Sequence, residues 1–224
     1  MAKLKGVFKY DGTFQGVTTV NSRAYGQHIR KARTKFTLSK EMKESSAVMK
    51  QANVYAKVFK DAIDPYRRDF RDGMLWQRLV SLFKMQLQEK GKADFSPLQG
   101  HELNKMHSLS WIISAKAAVT QTDRTLNVNI TSRHTQDPTN GRADGYQQTL
   151  IVLFVDDALQ VQTFSESALI SLEADPGEQQ VSSIIPQLTT TAILVLKCNF
   201  SSGSKPMGLQ KGMGMRVMKV VQTK

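Results

Sequence analysis

The hydrophobic period of this chain changes once, near Gly91, and that change constrains the fold more than any other feature. From Ser39 to Asp64, the residues Met42, Met49, Ala52, Ala56, Phe59 and Ile63 recur at spacings of three, four and seven, which is one face of an α-helix. Ser39 is available as its N-cap, and Asp64-Pro65 ends it, because the residue before proline is biased away from helical backbone. A second helix is predicted from about Tyr66 to Lys90, with Phe70, Met74/Leu75, Leu79, Leu82/Phe83 and Leu87 on one stripe and Gly91 placed to cap its end. Together they predict an antiparallel α-hairpin, with Asp72-Gly73 as the one point where the second helix could break.

Beyond Gly91 the helical spacing is gone. Gly91 to Gly100 reads as a connection, and strand-like runs follow at Trp111–Val119, Thr125–Ser132, Tyr146–Val155, Ala158–Phe164, Ala168–Leu172, Thr191–Phe200 and Met213–Val221. Turn signals separate them at Asp137-Pro138, Asn140-Gly141, Asp175-Pro176-Gly177 and Ser202-Gly203. Because no strand alternates with a helix, a doubly wound nucleotide fold is excluded and an antiparallel β-sandwich is expected. The fold class is therefore α+β. The expected organisation is a β-hairpin and basic arm over residues 1–38, a helical hairpin over 39–91, a linker over 92–107 and the sandwich over 108–224.

Lys3 to Val20 contains two runs rich in β-formers, LKGVFKY and TFQGVTTV, with Asp11-Gly12 between them as a hairpin signal. Asn21 to Thr37 has no clear period and reads as an extended arm or loop. An isolated hairpin is marginal in water, so this one must lie on the rest of the fold or pair with another chain.

Charge is distributed unevenly. Of 224 residues, 31 are Lys or Arg and 19 are Asp or Glu; the 106 residues before His107 hold 21 basic and 10 acidic ones. Between Lys3 and Phe36 lie eight Lys/Arg against the single acid Asp11, interleaved with Phe8, Tyr10, Phe14, Tyr25 and Phe36. Cations beside aromatic platforms suit sequence-tolerant binding of a nucleic-acid backbone. The competing reading has the aromatics anchoring the hairpin on its own or a neighbouring subunit while the cations meet acidic surface. The residues expected to make assembly or polyanion contacts are Lys9, Tyr10, Phe14, Arg23, Tyr25, Arg30, Lys31, Arg33 and Lys35.

Catalytic patterns are absent from the sequence. The histidines His28, His101, His107 and His134 have no metal-ligand spacing, and Asp156-Asp157 reads as turn chemistry after a strand. Cys198 lies in the apolar run ILVLKCNF and reads as a small buried hydrophobe; as the only cysteine it excludes an intrachain disulfide. Met213, Met215 and Val217 alternate onto one strand face, and GLQKGMGM from Gly208 lacks the strand-before, helix-after setting of a phosphate cradle. No enzyme activity, metal, cofactor or small-molecule substrate is expected. The longest uninterrupted β-like run is too short to span a membrane as a helix, and MAKLKGVFKY has no apolar signal core, so cytosolic synthesis without a signal peptide is expected, with release by lysis or a non-classical route left open.

The glycine spacing Lys5-Gly6, Gly12-Thr13 and Gly16, followed by a basic stretch ending in Arg33-Thr34, a helix pair and a β-domain, resembles a group of uncharacterised families common in Bacteroidota genomes. The resemblance implies a bacterial or phage setting and a non-enzymatic role. The leading expectation is a structural protein that assembles with copies of itself as a filament, tube or phage-like particle. The alternative is a nucleic-acid-binding module using the basic arm.

Overall fold

The computed structural model describes residues 12–14, 17–22, 26–31, 38–70, 72–135, 141–174, 176–203, 205–208 and 212–223. The chain divides into two compact units, residues 1–45 and 46–224.

In the first unit, β1 (Gly12–Phe14), β2 (Val17–Ser22) and β3 (Gly26–Lys31) form an antiparallel sheet in the order β1-β2-β3. Gly12 pairs with Thr19 and Phe14 with Val17, so one reversal follows Phe14; the LKGVFKY run and Asp11, on which the expected hairpin also rests, lie outside the described residues. Much of the stretch expected to be an unpaired arm is strand, with Ser22 opposite Gly26 and Val17 opposite Lys31. Backbone pairing organises a segment whose side chains show no alternation, because ladder hydrogen bonds form whatever the side-chain pattern.

The first helix, α1, spans Lys40–Ile63. Ser39 caps it as expected, its Oγ accepting from the Met42 N–H at 3.3 Å. In the second unit Ala52, Ala56, Phe59 and Ile63 make its buried stripe, whereas Met49, expected on that stripe, is 38% exposed. Pro65 then opens a 3-10 turn over Asp64–Arg67. The second helix, α2, runs Leu75–Lys90, starting nine residues later than Tyr66, because the chain breaks at Asp72-Gly73 and the Asp72 carboxylate instead accepts the Met74 N–H at 2.9 Å. Leu75, Leu79, Phe83 and Leu87 are its buried face, and Gly91 ends it at φ 70, donating to the Leu87 carbonyl. Tyr55 of α1, Phe83 of α2 and Phe95 of the following connection form an aromatic triangle with centroids 5.2–5.9 Å apart.

A single helical turn, α3 (Leu109–Ile112), takes Trp111 and Ile112 out of the expected strand, which starts at Ile113. The strands are β4 (Ile113–Thr122), β5 (Thr125–His134), β6 (Gly145–Asp156), β7 (Val161–Ser171), β8 (Gly177–Ile184), β9 (Thr189–Ser202), β10 (Lys205–Pro206) and β11 (Met213–Gln222). One antiparallel sheet has the order β10-β9-β6-β7, with β11 also on β9; a second has the order β4-β5-β8. The two runs expected at Ala158–Phe164 and Ala168–Leu172 are one strand, β7, paired without interruption to β6 from Gly145↔Ser171 to Val155↔Val161.

The central strands β6 and β9 are apolar on both faces, as strands covered on both sides must be. Ile151, Leu153, Val155, Ile193 and Val195 join the stripes of α1 and α2 in one buried cluster, together with Met213, Met215 and Val217 of β11. Leu150, Val152, Phe154, Leu194 and Leu196 join Leu126, Val128 and Ile130 of the three-stranded sheet in the other. The molecule is α+β, with a three-stranded antiparallel sheet before the helices and the strands β4 to β11 gathered after them.

Candidate functional site

Two of the sequence-derived contact residues, Arg30 and Lys31, have described side chains, and both are exposed at the end of β3. Arg30 stands opposite Thr18 and Lys31 opposite Val17. Consecutive strand residues point to opposite faces, so the two cations serve the two faces of the sheet. Thr13, Thr18, Val20, His28 and Arg30 share one face, and Val17, Thr19, Ile29 and Lys31 the other. On the first, the Thr13 and Thr18 hydroxyls form a cross-strand pair at 2.9 Å. Phe14 lies in β1 opposite Val17. Lys9, Tyr10, Arg23, Tyr25, Arg33 and Lys35 lie outside the described residues.

The burial of this sheet is its most telling property. Among the described side chains before Ala52 none is buried, and Val17 is 39% exposed. Three short strands that present only three described apolar or β-branched side chains on each face have too little to form a core of their own.

The second unit carries a polar node that sequence reasoning missed. The Arg78 guanidinium holds the Asp72 carboxylate at 2.5 Å through Nη2, while Nη1 donates to the Glu102 carbonyl at 2.8 Å and lies 3.3 Å from His101 Nε2. Because arginine can only donate, Nε2 accepts and His101 is neutral with its proton on Nδ1. Burial first, and the Arg78 charge second, push His101 down to about 4. Burial raises the Asp72 carboxyl, but bonds from the Met74 and Lys105 amides and the Arg78 charge outweigh it and hold the group below its ordinary value. Glu102 bridges β11 through Arg216 and accepts the Leu109 N–H at 3.0 Å. The Gly100 and Leu103 amides donate to Val217 and Met215 carbonyls at 2.8 Å each, so the node clamps the interhelical connection and the 100–109 segment onto the sheet. Every acid in it is engaged by a cation or an amide, which makes it a fastening rather than a proton-transfer pair. The only foretaste in the sequence was the Asp72-Gly73 break.

A second polar feature is a hollow of about 190 Å³ lined by Tyr55, Asp94, Asp156, Asp157, Thr191 and Gln222 among others. Asp156 is spent on its turn, its Oδ1 accepting the Gln160 N–H at 2.8 Å, as expected for Asp156-Asp157. Burial raises Asp94, yet hydrogen bonds from Ser96 and Gln86 and the charge of Lys90 more than offset it and leave the carboxyl low. Among the described residues no three His, Cys, Asp or Glu side chains are grouped to hold a metal. Cys198 is fully buried, which drives its thiol pKa up and leaves it inert. Among the described residues no helix is long and apolar enough to cross a membrane.

No protein-family model matches the chain, and no curated protein matches it. Among solved structures it is similar to a penta-heme cytochrome c552 from Thermochromatium tepidum, at 9% identity and TM-score 0.29, over 48% of this chain and 38% of that one. It is also similar to CsgH of R. palustris, at 9% identity and TM-score 0.26, over 43% of this chain and 87% of that one. The chain thus spans well under half the length of the cytochrome. At such scores the likeness decides neither fold nor function.

Proposed function

We propose that this protein is a non-catalytic structural subunit of a bacterial or phage assembly, made in the cytosol, which associates with copies of itself through its N-terminal sheet. In this reading the two sheets that share the Leu150, Val152 and Val128 cluster act as a β-sandwich body, stiffened by the helical hairpin on the β6–β9 face. The observation that carries the reading is that none of the described side chains of β1, β2 and β3 is buried, those of Phe14 and Ser22 lying outside the description. A sheet of this size needs a surface to cover it, and a filament, tube or particle supplies one from a neighbouring copy.

The second reading, nucleic-acid binding, is favoured by the exposed Arg30 and Lys31 in a chain of net charge +12. Light scattering after size exclusion, run over a range of protein concentrations with and without DNA, separates the two. Self-assembly predicts a mass that rises with concentration in the absence of nucleic acid. A monomer at all concentrations that retains DNA only at low salt would replace it with the second reading.

A further inference from the structure

The sequence has a second charge asymmetry, and the fold gives it a place. Residues 143–196 contain seven acids, among them Asp156, Asp157 and Glu166, and no Lys, Arg or His. In a chain of net charge +12 this 54-residue stretch is the inverse of the N-terminal unit. It contains β6, β7 and β8 and most of β9.

Within it, β7 is the outermost strand of its sheet. Natural edge strands are blunted by lysine, proline, bulges or covering segments, since a bare edge templates another strand. The far half of β7 is covered in this way: Gln179 Nε2 of β8 donates to the Glu166 carbonyl at 3.3 Å, and Gly177 abuts Ile170. The near half, Val161–Ser165, has no charge, proline or bulge, and among the described residues no strand pairs with it other than β6. It is flanked by the exposed Asp157 on one side and the exposed Glu166 on the other. The complementary element is β3, also the outermost strand of its sheet, whose six residues include His28, Arg30 and Lys31 and no acid.

We propose that β3 of one copy adds to the open Val161–Ser165 edge of β7 on the next copy, which brings its cationic Arg30–Lys31 end beside one of the two acids that flank that edge, Glu166 or Asp157 according to strand direction. This names the acceptor surface for the self-assembly read above and rests on that reading. Backbone pairing supplies the contact and the flanking charges supply its polarity. Because Arg30 and Lys31 lie on opposite faces of β3, a cation is presented on each face of the joined sheet. The donor and acceptor surfaces differ, so the contact is heterologous and propagates as an open filament unless its rotation closes a ring.

Two double variants of the full chain test this by light scattering in about 0.15 M salt. One carries Arg30→Glu and Lys31→Glu, the other Asp157→Lys and Glu166→Lys. Each alone should weaken association by at least about tenfold, since like charges then face each other across the contact. An equimolar mixture should recover the wild-type mass, because each reversed donor then meets a reversed acceptor and each native donor a native acceptor. If both variants assemble as the wild type does, or if the mixture stays dissociated, this acceptor is wrong while self-assembly stands. If the wild type is itself a monomer at every concentration, the assembly reading falls first and this inference with it. Should either variant melt earlier than the parent by circular dichroism, Asp157→Asn with Glu166→Gln replaces the acceptor reversal: a loss of association is expected, and wild-type mass would again overturn the contact.

Discussion

Leu79 is completely buried in the middle of α2, among the residues that join α1 and α2 to the β6–β9 face. A carboxylate there would have no partner, so Leu79→Asp should cost about 4 kcal/mol or more, enough to unfold a marginal domain. A thermal melt matching the parent would mean that this face is solvated. His101 gives a prediction with a defined pH window. Its folded-state pKa is depressed to about 4 from an unfolded value of 6.5, so the unfolded chain binds a proton that the folded chain refuses. Stability from this group is complete above pH 6.5 and is lost as pH falls toward and through 4. Urea midpoints measured from pH 7 to pH 4 should therefore drop more steeply for the wild type than for His101→Gln; parallel profiles would show that the histidine is not held neutral by the clamp. These residues differ in how far the sequence reveals them. Leu79 follows from periodicity, and Cys198 from its apolar run. Arg78 does not, because its partners Asp72, His101 and Glu102 come from a break and a connection that no short-range pattern brings together.

The elements were legible where side chains repeat and obscure where the backbone decides. The buried stripe of α1 stands out because Ala52, Ala56, Phe59 and Ile63 are apolar at helical spacing. The strand β8 is invisible to the same method, because its inward positions are Gly177, Gln179, Val181 and Ser183, only one of them a large apolar residue, and Gln179 is accommodated by hydrogen bonds to its neighbours. Gln148 Nε2 donates to Gln179 Oε1 at 3.0 Å, which places an amide where a leucine would have announced the strand. The same limit turned β3 into an expected loop. Packing between elements yields a further test at Gly214, where β11 meets α3. A Cβ at Gly214 would fall 2.6 Å from the Leu109 Cα, a backbone atom that cannot swing aside. Gly214→Ala should therefore destabilise by about 2–3 kcal/mol through overpacking, read as a lower urea midpoint at unchanged slope. An unchanged midpoint would show that α3 is free to move off the strand.

At the scale of the molecule, positive charge and uncovered strands coincide at one end of the sequence, and negative charge and an uncovered edge coincide in residues 143–196. The first coincidence is readable from composition. The second needs the topology, since only sheet order shows that β7 is outermost and that β8 shields half of it. The central claim is that the N-terminal sheet is completed by another copy of the chain. Hydrogen exchange at the backbone amides of Val17–Ser22 and Gly26–Lys31, followed over a hundredfold range of protein concentration, tests it most directly. Protection of these amides should be slight in dilute solution and rise with concentration, while the amides of β6 and β9 stay protected throughout. Exchange at Val17–Lys31 that is independent of concentration, whether fast or slow, would contradict the account.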